Sequence, residues 1–239
     1  MIALLFSGAF ALTFTLLMTP LFVRLFKRIE WGQFIREDGP QTHHTKRGTP
    51  TMGGIVVVLG ASLGYVFGHL VSQEPFTLSG LLVLGVFAGL ALVGFVDDYS
   101  KVRNQRSLGL GGWAKVAGQV IVGTAFALVA INFPDEDGIT PATTMISGVR
   151  DIEWLDFAVF GSIGAMILFT LWVNLIVVAT SNAVNVADGL DGLATGASIL
   201  SIVGYIVIAF WQFNQSCSNA GLDEAVAYKC YEVRDSLDL

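Results

Sequence analysis

Long apolar runs separated by short polar segments make up most of the chain. Six runs contain no Asp, Glu, Lys or Arg, and they cover residues 2–23, 52–73, 75–96, 116–134, 157–187 and 192–222. Because about 20 mostly apolar residues cross the hydrocarbon core of a bilayer, each run is long enough to span a membrane. The pattern predicts transmembrane helices near 2–26, 52–72, 76–96, 113–133, 157–180 and 194–213.

The composition supports an all-α polytopic membrane protein. Of the 239 residues, 54% are hydrophobic and 13% are charged, whereas soluble domains average about 25% charged residues. The two-residue alternation typical of strands is absent, and only helices or closed barrels satisfy the backbone in lipid. We find neither an internal repeat nor a linker, so we expect residues 1–239 to form a single membrane domain without strands.

The positive charges follow the first and third predicted helices. Ten of the 13 Lys and Arg residues lie there: Arg24, Lys27, Arg28, Arg36, Lys46, Arg47, Lys101, Arg103, Arg106 and Lys115. Because the chain changes sides at each membrane crossing, the segments after the first and third helices lie on the same side. The positive-inside rule makes that side cytoplasmic. We therefore expect the N-terminus outside, loop 181–193 inside and tail 214–239 outside. Cys217 and Cys230 lie in that tail, where a disulfide is permitted, and the sequence leaves open whether they form one.

The first polar cluster on the predicted cytoplasmic side is "THHTKRGTPTMGGI", residues 42–55. Its glycines and proline favour turns and a close approach of the backbone. Exposed main-chain N–H groups at a helix start, beside Lys46 and Arg47, would form an anion site. An ordinary helix start flanked by positive-inside charges explains the same pattern, and both interpretations stay open.

The second cluster is "GFVDDYSKVRNQ", residues 94–105. We expect Asp97 and Asp98 at the end of the third helix, where carboxylates oppose the macrodipole and repel each other. Lys101 can reach either carboxylate across one helical turn, and a divalent metal would compensate better. The alternative is that the two carboxylates cap the helix at the membrane interface, are neutralised by the basic residues nearby and have no functional role.

The third cluster is "SNAVNVADGLDGLATG", residues 181–196, where polar residues step by three: Asn182, Asn185, Asp188 and Asp191. Gly189 and Gly192 argue against a long regular helix here, so we expect a loop. Carboxylate and carboxamide oxygens are ligands that Mg²⁺ prefers, and they could also bind a nucleobase or ribose. The alternative is a tight Asp-Gly turn between two helices.

The three clusters together indicate one kind of chemistry. A basic glycine-rich loop suits phosphates, and the acidic and amide groups suit a metal. All three lie at one predicted membrane face. Phosphoryl transfer depends largely on positioning and on charge compensation by metal and cations. The pattern therefore favours phosphoryl transfer to a membrane lipid.

Three motifs carry a resemblance to a known family. "GTPTMGG" (48–54), "DDYSK" (97–101) and "NAVNVADGLDGLA" (182–194) resemble the bacterial phospho-N-acetylmuramoyl-pentapeptide-transferases, within the polyprenyl-phosphate N-acetylhexosamine-1-phosphate transferase superfamily. The resemblance implies transfer of phospho-MurNAc-pentapeptide from its UDP carrier to undecaprenyl phosphate, with release of UMP, formation of lipid I and a need for Mg²⁺. It implies a bacterial plasma-membrane protein. A homodimer stays open, and no nucleic-acid partner is expected.

The resemblance also assigns expected roles to residues. It implies that Asp97 and Asp98 are the catalytic pair, with Lys101 bound either to phosphate or to those carboxylates. It implies a substrate-binding or metal-binding role for a further set: Lys46, Thr51, Asn185, Asp188 and Asp191 at substrate, and Asn182 with Asp97 at the metal.

The resemblance implies that residues 1–239 correspond to the N-terminal part of a glycosyltransferase-4-like transferase. Family members are longer, and their later cytoplasmic loops carry another metal-binding Asp motif and a His-rich motif. We therefore expect this chain by itself to have little or no activity.

Three rival interpretations stay open. Within the superfamily, the rival is a transferase that uses UDP-GlcNAc, although "GTPTMGG" argues against it. In other classes, the rivals are a non-catalytic membrane scaffold and a transporter whose Asp97, Asp98 and Asp188 line an ion path.

Overall fold

The computed structural model describes residues 2–29, 31–32, 50–105, 108–134, 138–149, 151–189, 192–215, 217 and 230. Long helices make up most of this part of the chain: α1 Ile2–Arg28, α2 Gly54–Ser72, α3 Leu78–Arg103, α4 Gly112–Asn132, α5 Gly161–Ala187 and α6 Leu193–Gln215. Within the described ranges, these six helices are long and apolar enough to cross a membrane. The predicted all-α polytopic membrane architecture is confirmed.

Two helices, α3 and α5, continue well past their predicted ends. α3 runs to Arg103 and so includes Asp97 and Asp98, which had been expected at the helix end. Lys101 pairs with both carboxylates from the next turn, and Lys101 and Arg103 then occupy the last turn, where positive charge is favoured. The prediction that the third apolar helix ends near residue 96 was therefore wrong.

α5 similarly continues into the stretch that was expected to be a loop and ends at Ala187. The Asn182 side chain donates a hydrogen bond to the Val178 main-chain oxygen at 2.8 Å, which places this polar group within the helix. The helix ends where the glycines begin, and Gly192 has a φ of 82°, which favours glycine. The glycines therefore stop the helix later than the sequence suggested.

The expectation that strands are absent was wrong in one segment. Between α4 and α5, β1 (Met145–Ser147) pairs antiparallel with β2 (Asp151–Asp156). This short hairpin lies outside the six long helices and pairs its main-chain groups between the strands. The Gln212 side chain, near the end of α6, donates a hydrogen bond to the Val149 oxygen in the hairpin at 2.7 Å.

The chain divides into two compact units. The first contains Met1–Phe76 and Val83–Val122, and the second contains Thr77–Leu82 and Gly123–Leu239. A disulfide joins Cys217 to Cys230 in the second unit, which settles the alternative that the sequence left open. The interpretation of residues 1–239 as a single membrane domain stays a prediction.

In the first unit, α2 packs closely against α1 through glycines spaced one helical turn apart: Gly60, Gly64 and Gly68. A Cβ atom at Gly64 would lie 2.7 Å from the Ser7 main-chain oxygen and 2.9 Å from the Ala11 Cβ. Small residues of this kind let transmembrane helices approach closely. This packing holds α2 against α1, and α2 begins shortly after Thr51.

In the second unit, the buried core lies between α4 and α5 and contains Ala127, Phe169 and Val173. Beside it, the Asn174 side chain donates hydrogen bonds to the Thr124 hydroxyl at 3.0 Å and to the Thr170 main-chain oxygen at 2.9 Å. These contacts fix α5 against α4, and α5 carries Asn182 and Asn185 in its last turns.

Candidate active site

The polar end of α3 holds three charged side chains in direct contact. Lys101 Nζ lies 2.8 Å from Asp97 Oδ2 and 2.8 Å from Asp98 Oδ1. The contacts follow from helical spacing, because residues three and four positions apart lie on the same face. One ammonium group therefore bridges two adjacent carboxylates, each of which the sequence had placed within its reach.

The two carboxylates have different surroundings. Asp97 is buried, and its Oδ1 accepts a hydrogen bond from the Leu110 main-chain N–H at 2.8 Å. Lys115, in the first turn of α4, adds a second positive charge near Asp97. The Asp98 side chain is 34% exposed, against 10% for Asp97. Asp97 is thus held through both oxygens, whereas Asp98 is the more accessible carboxylate.

Thr51 is linked to the same end of α3 through Trp31. The Thr51 main-chain N–H donates a hydrogen bond to the Trp31 oxygen at 3.3 Å, and Gly32 pairs with Pro50 in an antiparallel bridge. The Trp31 ring packs edge-on against the Tyr99 ring, with 5.8 Å between their centroids. Tyr99 directly follows Asp98. This relay of contacts places Thr51 and the carboxylate pair within one unit.

Met52 continues the Thr51 segment into α2. Its backbone φ is 65°, a value that residues other than glycine rarely adopt, and the residue is 7% exposed. Lys46, the other predicted residue of this loop, lies outside the described residues, so the anion-site interpretation stays a prediction.

The third predicted cluster belongs to the second unit. Asn182 and Asn185 lie on the last turns of α5, and Asp188 follows as its C-terminal cap residue. Asn185 and Asp188 are exposed, whereas Asn182 is half-buried. Asp191 lies outside the residues that the structure describes. The helical geometry places Asn182 next to Asn185 on one face, and Asn185 next to Asp188.

A family match decides the relationship to known proteins. The family model for glycosyl transferase family 4 matches residues 80–231. This chain belongs to glycosyl transferase family 4. The family match includes the α3 carboxylates, Lys101 and the polar end of α5. A second match, to the phospho-N-acetylmuramoyl-pentapeptide-transferase signature 1, covers residues 46–58 and so includes Lys46 and Thr51. The family resemblance inferred from the sequence is confirmed.

Several similar proteins carry the same name, phospho-N-acetylmuramoyl-pentapeptide-transferase. The protein from Clavibacter michiganensis subsp. michiganensis is 58% identical over 100% of this chain and 66% of its own length. The protein from Arthrobacter sp. (strain FB24) is 52% identical over the same shares. The protein from Streptomyces griseus subsp. griseus is 50% identical over 99% of this chain and 64% of its own length. The chain thus spans close to two thirds of the length of these curated relatives.

The carboxylates of this glycosyl transferase family 4 chain suit a Mg²⁺ ion that also binds substrate. Within the described ranges, no three His, Cys, Asp or Glu side chains lie close enough together to hold a metal ion by themselves. Mg²⁺ in phosphate chemistry commonly binds one or two carboxylates, retains several waters and takes its other ligands from substrate phosphates. Asp97 and Asp98 offer carboxylates of this kind.

Three contact residues were missed from the sequence. Leu110 acts through its main-chain N–H, and no pattern of side chains along the sequence marks such a group. Gly109 precedes it in a glycine-rich segment, "GLGG", whose glycines look alike in sequence. Trp31 follows the charged segment after the first apolar run and resembles an ordinary interfacial aromatic residue. Only the three-dimensional contacts distinguish these residues from their neighbours.

Proposed function

We propose that this protein transfers phospho-MurNAc-pentapeptide from UDP-MurNAc-pentapeptide to undecaprenyl phosphate, giving lipid I and UMP. One observation carries the proposal. Thr51 lies within the matched signature and is linked through Trp31 to Tyr99, directly beside Asp98. A segment typical of the pentapeptide-transferases is therefore joined to a carboxylate and ammonium cluster suited to phosphoryl transfer.

The reaction exchanges one phosphate linkage for another. An oxygen of the lipid phosphate attacks the phosphorus that bears the sugar, and the bond from that phosphorus to the oxygen of UMP breaks. A phosphate monoester is largely dianionic at pH 7, because its second pKa is about 6. The attacking oxygen therefore needs little deprotonation, so the roles of the side chains are orientation and charge compensation.

The α3 cluster supplies both roles. Asp97, held through both oxygens, fixes the position of Lys101, and the Lys101 ammonium can turn to a phosphate oxygen as charge develops. Asp98 is exposed enough to meet substrate. When bound, Mg²⁺ would neutralise phosphate charge as a Lewis acid. We propose that Asp97 and Asp98 hold it, while the metal-binding role predicted for Asn182 stays a prediction.

The nucleotide-sugar is proposed to contact the polar residues at the end of α5. Asn185 and Asp188 offer exposed amide and carboxylate groups for hydrogen bonds to ribose or base. Lys46 and Asp191 complete the proposed substrate-binding set, together with Thr51.

We propose that the protein lies in the bacterial plasma membrane with its active face in the cytoplasm and its N-terminus outside. The Cys217–Cys230 disulfide supports an outer location for the segment after α6, since disulfides persist in oxidising compartments. The Gln212 hydrogen bond to Val149 puts the β-hairpin at the same end of α6. The basic residues after α1 and α3 then face the cytoplasm.

Release of UMP tests the proposed function. The product of the complete reading frame that encodes these residues is reconstituted in nanodiscs with Mg²⁺, undecaprenyl phosphate and UDP-MurNAc-pentapeptide. UMP release that requires both substrates supports the proposal. UMP release with UDP-GlcNAc but none with UDP-MurNAc-pentapeptide would contradict it, as would the absence of UMP with either donor.

A further inference from the structure

The segment between α3 and α4 places its main chain against the Asp97 carboxylate. The Leu110 N–H donates a hydrogen bond to Asp97 Oδ1 at 2.8 Å. At Gly109, a Cβ atom would lie 2.7 Å from the Asp97 main-chain oxygen and 2.8 Å from its Cγ, and closer still to Oδ1. Contacts under 3.0 Å are essentially never made by real Cβ atoms. Any other residue at position 109 must therefore displace the segment or the carboxylate.

We propose that Gly109 and the main-chain amide of Leu110 are positioning residues for the phosphoryl transfer reaction. This inference rests on the function proposed above. The amide anchors Oδ1, which stops the carboxylate from rotating and keeps Oδ2 directed at Lys101. Lys101 in turn reaches Asp98. One main-chain contact therefore sets the geometry of all three charged side chains.

The steric constraint is specific to position 109. Gly111 and Gly112 follow in the same segment, yet a Cβ atom at either position would meet nothing within 4 Å. None of these three glycines has the positive φ that favours glycine for conformational reasons. The need for glycine at position 109 thus comes from its closeness to Asp97, and Gly111 provides a matched control.

The first test compares Gly109→Ala with Gly111→Ala in the UMP-release assay. A displacement of about 1 Å at a reacting group can cost roughly 100-fold in rate. We expect Gly109→Ala to lower kcat by about that factor while KM for the nucleotide-sugar changes less than about 2-fold. Gly111→Ala should retain the wild-type kcat. Equal rates for the two variants would overturn the proposal.

The second test removes the hydrogen-bond donor alone. Replacing Leu110 by its α-hydroxy acid converts the amide to an ester and keeps the side chain. Because hydrogen bonds to charged groups contribute strongly, we expect kcat to fall roughly 10-fold or more. The same replacement at Leu108, whose N–H makes no described hydrogen bond to Asp97, is the control. An unchanged kcat for the Leu110 ester would contradict the assigned role.

A double variant separates positioning from general stability. If Gly109 acts through Asp97, adding Gly109→Ala to Asp97→Asn lowers the residual kcat little further. If Gly109→Ala instead lowers kcat by the same factor in wild type and in Asp97→Asn, its effect is a general structural one and the proposal is overturned.

Hydrogen exchange of the Leu110 amide, compared between wild type and Asp97→Ala, checks the contact without turnover. If wild type releases no UMP while this amide is protected, the proposed function fails although the contact is present, and the role in catalysis fails with it.

Discussion

The ring of Trp31 packs edge-on against the ring of Tyr99, with 5.8 Å between centroids. Phe26 stacks on Trp31 at 5.6 Å, and the Trp31 main-chain oxygen receives the Thr51 N–H. Trp31 thus contacts the end of α1, the segment before α2 and the polar end of α3. A change at Trp31 should therefore affect activity through the placement of Thr51 and Asp98.

Trp31→Ala should lower kcat/KM by roughly 10-fold, because an aromatic pair contributes about 0.5–1.5 kcal/mol beyond its buried area and the main-chain oxygen that accepts the Thr51 hydrogen bond loses its aromatic anchor. Trp31→Phe should restore most of the loss. Trp113→Ala is the control, since Trp113 is 88% exposed. UMP release measures all three, and an unaffected Trp31→Ala variant would show that the aromatic contact is unnecessary.

Lys101→Ala should abolish most turnover. It leaves Asp97 and Asp98 as adjacent carboxylates without the ammonium that bridges them, and it removes a cation from the phosphate site. We expect kcat to fall by roughly 100-fold or more, by analogy with the loss of a group that compensates transition-state charge. Lys101→Arg should recover part of the rate.

Arg103→Ala is the matched control for Lys101, because Arg103 lies in the same last turn of α3 and donates a hydrogen bond to the Tyr99 hydroxyl at 3.4 Å rather than to a carboxylate of the pair. Its kcat should stay within about 2-fold of wild type, since surface substitutions away from special features have small effects. A comparable loss in both variants would indicate a general effect of positive charge.

Gly64→Ala should destabilise the first unit by about 1–3 kcal/mol, the usual cost of overpacking. The new methyl group would meet the Ser7 oxygen of α1. Gly85→Ala, in α3, adds the same group where nothing lies within 4 Å and should be neutral or stabilising. Unfolding in mixed micelles compares the two. Equal stability would show that α1 and α2 can separate without cost.

Asp156 gives the second unit a dependence on pH. Its carboxylate accepts hydrogen bonds from the Ala158 N–H at 2.8 Å and the Thr144 hydroxyl at 2.7 Å, which hold its pKa below the ordinary value of 3.8. A lowered folded-state pKa stabilises the fold above the ordinary value, and this contribution is lost as the pH falls through the lowered value.

Thermal unfolding followed by tryptophan fluorescence should detect this effect. The midpoint of wild type should exceed that of Asp156→Asn at neutral pH, and the difference should shrink as the pH falls below 3.8. A difference that stays constant from neutral pH to pH 2 would exclude titration of Asp156 as its cause.

The sequence predicted the helices well because an apolar run of membrane-spanning length has few other solutions. It also predicted that Lys101 can reach Asp97 or Asp98, which depends only on helical spacing. It misjudged where α3 and α5 end. The third apolar run stops at residue 96, before α3 does, whereas the fifth run reaches residue 187 with α5, and its polar asparagines suggest the start of a loop. Internal contacts such as the Asn182 hydrogen bond to Val178 carry the helix onward.

The hairpin and the Asp97 anchor show a different limit of sequence reasoning. β1 and β2 are too short for a clear alternating pattern, and their pairing is a property of two segments rather than one. The Leu110 amide is a main-chain group that every residue but proline has. Its function depends on Gly109 allowing a close approach, which becomes visible only when the Asp97 carboxylate is seen beside it.

Asp98, the more accessible carboxylate of the α3 pair, is the side chain that we propose to serve phosphoryl transfer. UMP release by Asp98→Asn is compared with that of wild type and of the hairpin variant Asp151→Asn. We expect kcat to fall roughly 1000-fold for Asp98→Asn, because the variant no longer holds the cations that compensate transition-state charge, whereas its unfolding midpoint should not change and Asp151→Asn should lose no activity. An Asp98→Asn variant that releases UMP at the wild-type rate would contradict this role of Asp98.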